Sequence, residues 1–170
     1  MSRDYPDWIN PFKAAQARRE FAGTVKLGQL RRLRDLIEEP GDAEVSFEVA
    51  FDLDDQREAT VAVRVFGKVP MTCQRSLRSF DQEIDSSSVV AIIDSDAAAD
   101  RLPDDYEPLV VSDARLQMVD LVAEELLLAL PLVPRAPDSE PVGDDVAEPQ
   151  SSGETHQPFA VLADLARKRN

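Results

Sequence analysis

The side chains able to do covalent or metal chemistry are few and scattered. The 170 residues hold one thiol, Cys73, and one imidazole, His156. A single Cys excludes an internal disulfide and suits a reducing cytosol. The sequence has no glycine-rich phosphate loop, no Gly-x-Ser-x-Gly turn and no His-x-x-x-His pair. Carboxylates are abundant, but abundance is not a site. Asp94, Asp96 and Asp100 are the candidates for a metal-dependent nuclease acting on RNA. An acidic, alanine-rich, solvated loop explains them more simply. The expectation is a protein that binds rather than catalyses, with no catalytic residue, cofactor, metal or small-molecule substrate.

Three groups of residues have the types and spacing for binding. Glu124 and Glu125 sit within an otherwise apolar stretch, where a buried carboxylate is costly unless partnered. One is expected to face solvent and the other to meet an internal Arg. As a functional feature, Glu125 would present charge at the rim of a groove. Phe159, Leu162 and Leu165 recur every three residues and are followed by Arg167, Lys168 and Arg169. That is a short amphipathic helix with cations at its C-terminal end, too short to be stable alone. Arg18, Arg19, Lys26, Arg31, Arg32 and Arg34 form a basic cluster with little aromatic interleaving. It predicts at most a weak, phosphate-directed RNA contact.

Charge distribution narrows the partner. Net charge is −14. Residues 1–80 carry 13 Lys/Arg and 13 Asp/Glu, whereas residues 81–170 carry 6 against 20. A general nucleic-acid binder needs basic surface. Only the segment 1–37, with 8 Lys/Arg and 4 Asp/Glu, offers any. The acidic half would attract a basic partner. The longest apolar runs, such as Leu126 to Leu130, are far short of a membrane span, and the first ten residues lack the pattern of a signal peptide. A cytoplasmic location without membrane contact is expected.

The elements that must position these residues read as α+β. Asn10-Pro11 is a good helix start, predicting a first helix with Ala14, Ala17 and Phe21 on one face, ended by Gly23. A second helix is predicted from Gly28 to Glu39, with Leu30, Leu33, Leu36 and Ile37 inward, stopped by Pro40-Gly41. Val45, Phe47, Val49, Phe51 and Leu53 alternate with polar residues, and Ala59, Val61, Val63 and Val65 do the same after Asp54-Asp55-Gln56-Arg57. These predict a β-hairpin. A turn at Met71–Ser76, a returning strand through Phe80, Gln82 and Ile84, and short extended runs at Val89–Ile93 and Leu109–Val111 follow. Residues 94–105 read as loop. A third helix fits Leu116–Leu130, ended by Pro131 and Pro134. From Arg135 to Gln157 the composition cannot offset its ordering entropy.

Three stretches together resemble the YceD family: Leu102-Pro103-Asp104-Asp105-Tyr106-Glu107-Pro108-Leu109, then Glu125-Leu126-Leu127-Leu128-Ala129-Leu130-Pro131-Leu132-Val133-Pro134, then Pro158-Phe159-Ala160-Val161-Leu162-Ala163-Asp164-Leu165 with its basic end. The Pro11 helix, the hairpin and the acidic stretch fall in matching order. The resemblance implies a non-enzymatic role in synthesis, processing or stability of 23S ribosomal RNA. The implied partner is a ribosomal protein, a large-subunit assembly factor or precursor RNA. Many relatives carry Cys-x-x-Cys where this chain has Cys73-Gln74-Arg75-Ser76. With Ser76 in the second place and His156 distant, the four ligands of a structural zinc are not available.

The sequence thus predicts a flexible N-terminus (1–9), an α+β domain (10–133) built on a central antiparallel sheet with packing helices, a disordered acidic linker (134–157) and a C-terminal amphipathic motif (158–170). A generic interaction module unrelated to ribosomes is the alternative from the binding class.

Overall fold

The structure, a computed structural model, describes residues 5–34, 36–37, 40–103 and 106–140. The expected motif at 158–170 and residues 141–157 of the expected linker lie outside them. The period-two pattern read in the hairpin is the organising feature. Strands β3 (Glu44–Leu53) and β4 (Ala59–Thr72) pair antiparallel from Val45↔Gly67 to Leu53↔Ala59. Val45, Phe47, Val49, Phe51, Val61, Val63 and Val65 are buried on one face. Asp54 closes the turn, accepting N–H bonds from Gln56 (2.9 Å) and Glu58 (2.7 Å).

Around this hairpin the sheet runs β2–β3–β4–β5–β6. β2 (Glu20–Lys26) and β5 (Ser79–Ile93) add antiparallel. β6 (Glu107–Val110) adds parallel to β5 after a crossover carrying the short helix α2 (Asp96–Ala99). The sheet is therefore mixed at one edge. The two runs read around Ile84 and Val89–Ile93 are one 15-residue strand. The triple Ser86-Ser87-Ser88 hid its continuity. A separate two-stranded sheet pairs β1 (Trp8–Ile9) with β7 (Leu116–Gln117). Helices α1 (Pro11–Gln16) and α3 (Met118–Ala129) cover the apolar face, α1 over β3 and β4, α3 over β4 and β5.

Five expectations differ from the structure. The first helix starts as expected, with Lys13 N–H donating to Asn10 Oδ1 (3.0 Å), but stops at Gln16. Arg18 takes a left-handed conformation (φ 48°), and the N–H groups of Arg18 and Arg19 donate back to the carbonyls of Ala15 and Ala14. This is a helix-ending motif usually marked by glycine. Phe21 and Gly23 consequently lie in β2. Gly23 is there because the Tyr5 ring packs on it: an added Cβ would stand 2.7 Å from Tyr5 Cδ1.

The second helix is replaced by two 3₁₀ turns, Leu27–Gln29 and Arg31–Leu33. Leu27, Leu30 and Leu33 are buried at a spacing of three, the period of a 3₁₀ turn rather than of an α-helix. Leu36, at the next step, is 52 % exposed.

The third helix begins two residues late because Leu116–Gln117 first pair with β1.

The segment 1–9, expected to be flexible, contributes Tyr5 to the core, edge-on to Phe47 at 4.8 Å, and Trp8–Ile9 to β1. At the other end, Gln74 N–H donates to Pro134 O (2.9 Å) and Ala136 N–H to Cys73 Sγ (3.3 Å). The stretch read as linker is thus tied at its start to the β4–β5 turn.

Candidate binding groove beside a buried carboxylate

α3 buries Met118, Val122 and Leu126 completely against the sheet. Each contributes about 1.5–3 kcal/mol relative to exposure. Glu125 shares that buried side and is 4 % exposed. Its partners come from β5: Ser86 Oγ donates to Oε1 (2.6 Å) and Ser88 Oγ to Oε2 (2.5 Å). Period two puts Ser86 and Ser88, opposite Val65 and Val63, on the core face. No cation pairs with Glu125 among the described residues, so two hydroxyls replace the internal Arg expected from sequence. Glu124 is the carboxylate that meets an arginine, forming an exposed ion pair with Arg32.

A groove of about 330 Å³ runs beside this pair, between α3 and β6. Val90, Leu109, Leu116, Leu121 and Leu128 give it apolar walls, and Glu107, Asp120, Glu124 and Glu125 are its charged residues. All four are acidic. Leu128 is 74 % exposed.

The opposite face of the sheet forms a larger, shallower concavity of about 670 Å³ that includes Glu48, Ala50, Ala62, Arg64 and Val89. Its arginine is paired. Arg64 makes two 2.9 Å hydrogen bonds to Asp85, stands 3.5 Å from Glu48 and stacks over Phe66. The contact holds the Asp85 carboxyl below its usual range and raises the Arg64 guanidinium.

The basic residues singled out in the sequence do not assemble into one patch. Arg18 pairs with Asp52 (3.0 Å), and Arg19 stacks over Phe21 at 5.5 Å. Lys26, at the far end of β2 and about 20 Å away, pairs with Asp42 (2.9 Å). That hydrogen bond raises the Lys26 ammonium and lowers the Asp42 carboxyl. Arg32 is engaged by Glu124, while Arg31 and Arg34 are exposed. Asp94, Asp96 and Asp100 fall in and around α2, with Asp94 accepting from Ser95 Oγ (2.9 Å). Phe159, Leu162, Leu165, Arg167, Lys168 and Arg169 lie outside the described residues.

Among the described residues no group of three or more His, Cys, Asp or Glu is placed to hold a metal ion. Cys73 is buried, and its sulfur accepts N–H bonds from Ser76 (3.5 Å) and Ala136 (3.3 Å). Burial pushes the thiol up, but these bonds and those of the Ser139 and Ser76 side chains outweigh it and lower it to about 6. No described helix is long and apolar enough to cross a membrane.

Comparison with known proteins shows the family. Residues 61–166 match the family model described as large ribosomal RNA subunit accumulation protein YceD. The chain belongs to the YceD family. The YceD protein of Haemophilus influenzae, which carries that same description, is 30 % identical over 171 residues, covering 96 % of this chain and 97 % of the relative. No solved structure matches the chain significantly. The YceD match spans β4 through α3, and so includes the Ser86–Glu125–Ser88 cluster and the whole groove. Arg18 to Arg34 precede it.

The sequence reading marked Glu124 and Glu125 but missed Ser86 and Ser88. A signal was present: a Ser-x-Ser step inside a β-run, at the period that puts both hydroxyls on one face, in a chain with a glutamate on its most apolar helix.

Proposed function

We propose that this protein is a non-enzymatic factor of large ribosomal subunit biogenesis, supporting synthesis, processing or stability of 23S ribosomal RNA in the cytoplasm by holding a protein partner. The observation that carries the ribosomal role is end-to-end similarity to a relative described as a large ribosomal RNA subunit accumulation protein. Action by binding is supported by the α3–β6 groove, which has apolar walls and acidic charge. A ribosomal protein or assembly factor with basic surface fits that chemistry better than RNA. Contact with precursor RNA would be weak, because Arg18, Lys26 and Arg32 are engaged with carboxylates. The terminal Phe159, Leu162 and Leu165 with Arg167, Lys168 and Arg169 are a second partner-binding candidate on sequence grounds. Deleting the gene should lower the ratio of 23S to 16S ribosomal RNA or accumulate precursor. Normal ratios and normal sucrose-gradient profiles, in the cold as well as at ordinary temperature, would overturn the proposal.

A further inference from the structure

We infer that the groove between α3 and β6 seats a basic amphipathic helix of a partner protein, packed against the exposed row of α3. Asp120, Glu124 and Leu128 are spaced four apart, so they form one ridge along the helix. α3 spans 12 residues, about 18 Å. That length is enough for a facing helix to lay apolar side chains between Leu128 and the wall formed by Leu109 and Leu121. Asp120 on the ridge and Glu107 on β6 flank this apolar strip with negative charge, and no lysine or arginine lines it. A segment with apolar residues three and four apart, bordered by Lys and Arg, complements both features. The lining itself offers a phosphate backbone no cation, and Arg32, which stands beside it, is already engaged by Glu124.

The edge of β6 argues against an added strand. Val111 N–H donates to Ile93 O (2.7 Å), so alternation turns Leu109 toward β5 as well and leaves Pro108 and Val110 facing outward. Pro108 has no N–H to offer, which blunts that edge. A helix needs no main-chain bonds from the sheet and is indifferent to this. Under the groove, the Glu125 carboxylate has hydroxyl partners only. No cation pairs with it among the described residues. The partner's place in ribosome assembly rests on the function proposed above; the chemistry of the groove does not.

The test is site-specific photocrosslinking in cells, using the full chain with a photoreactive residue at Leu128 and, as control, at Val89 on the opposite sheet face. The expected result is an adduct from position 128 only. The crosslinked peptide, read by mass spectrometry, should be rich in Lys and Arg with apolar residues three and four apart. Glu107→Lys with Asp120→Lys should reduce its yield at least tenfold. Both positions are exposed. The neutral pair Glu107→Gln/Asp120→Asn, expected to cut the yield severalfold, serves if the reversal perturbs folding. An adduct to RNA, to a second copy, to the chain's own residues or to an acidic peptide would overturn the inference. So would no adduct, or one that survives both variant pairs. The two readings fail separately. A rim-sensitive adduct in a strain whose deletion leaves ribosomal RNA normal would keep the groove and sink the biogenesis role. A deletion phenotype without such an adduct would do the reverse.

Discussion

The Cys73 thiol is held near 6 by donors from two chain segments, Ser76 in the β4–β5 turn and Ala136 and Ser139 after α3. In an unfolded chain a thiol titrates near about 8.5. The folded value lies below the unfolded one, so the thiolate contributes stability that is fully present above about 8.5 and lost as pH falls through about 6. Melting temperature should therefore rise between these limits in the native protein, and the Cys73→Ala variant should lack that component. Equal slopes for the two would show that the donors do not favour the thiolate. Glu125 yields a prediction of a different kind. Ser88→Ala leaves one carboxylate oxygen buried without its donor, and should cost about 1.5–3 kcal/mol in urea unfolding, since hydrogen bonds to charged groups are worth that much. A change under 0.5 kcal/mol would mean water reaches the carboxylate. Cys73 is buried. Its donors are not legible in the sequence, because one of them, Ala136, lies 63 residues away.

At the scale of elements, what was legible follows from period. The β3–β4 hairpin repeats every two residues over both strands, and no other element competes for that pattern. The leucines at 27, 30, 33 and 36 repeat every three. That fits an α-helix loosely and 3₁₀ turns well, and the propensity of leucine and arginine favoured the wrong choice. The end of α1 was hidden because Arg18, not glycine, takes the left-handed conformation. Gly23, read as a helix stop, is explained by Tyr5. Gly23→Val should destabilise by about 1–3 kcal/mol through overpacking, and Tyr5→Ala in the same chain should recover part of that loss. Additive losses in the double variant would show that the Tyr5 ring is not what the new side chain meets. On the catalytic question, the elements make a clear demand. Asp94, Asp96 and Asp100 sit on the α2 crossover, away from the groove, and their joint replacement by Asn should rescue a deletion strain fully. Loss of rescue by a folded variant would restore the nuclease reading.

For the whole molecule, acidity is the property the sequence showed most directly, and the fold decides where it counts. Several cations of the balanced first half are held in ion pairs: Arg18 with Asp52, Lys26 with Asp42, Arg32 with Glu124 on the groove, and Arg64 with Asp85 and Glu48. The groove gathers acidic residues from β6 and α3, elements distant from those cations in sequence. That concentration was not legible, since it depends on the parallel addition of β6 beside a helix that follows it. The clasp between the β4–β5 turn and Pro134 likewise ties the last described residues to the sheet. A chain ending at Glu140 keeps Pro134 O, Ala136 N–H and the buried Pro134 ring; one ending at Val133 loses all three. The shorter chain should melt a few degrees lower than the longer, two hydrogen bonds being worth about 1–3 kcal/mol together. Equal melting temperatures would make the clasp incidental.

The serines beneath Glu125 also matter before the molecule is finished. Synthesis proceeds from the N-terminus at roughly 5–20 residues per second. Strands β2 to β5 are synthesised by Ile93, but α3 ends only at Ala129, so its cover arrives roughly 2–7 s later. During that interval an unbroken run of valine and isoleucine along β5 would be an adhesive surface on a nascent chain. Ser86 and Ser88 interrupt it with hydroxyls that water can satisfy, in the manner of gatekeeper residues. When α3 arrives, the same hydroxyls turn to the one carboxylate it brings. A single pair of side chains thus breaks the apolar run of the strand and bonds the helix that covers it.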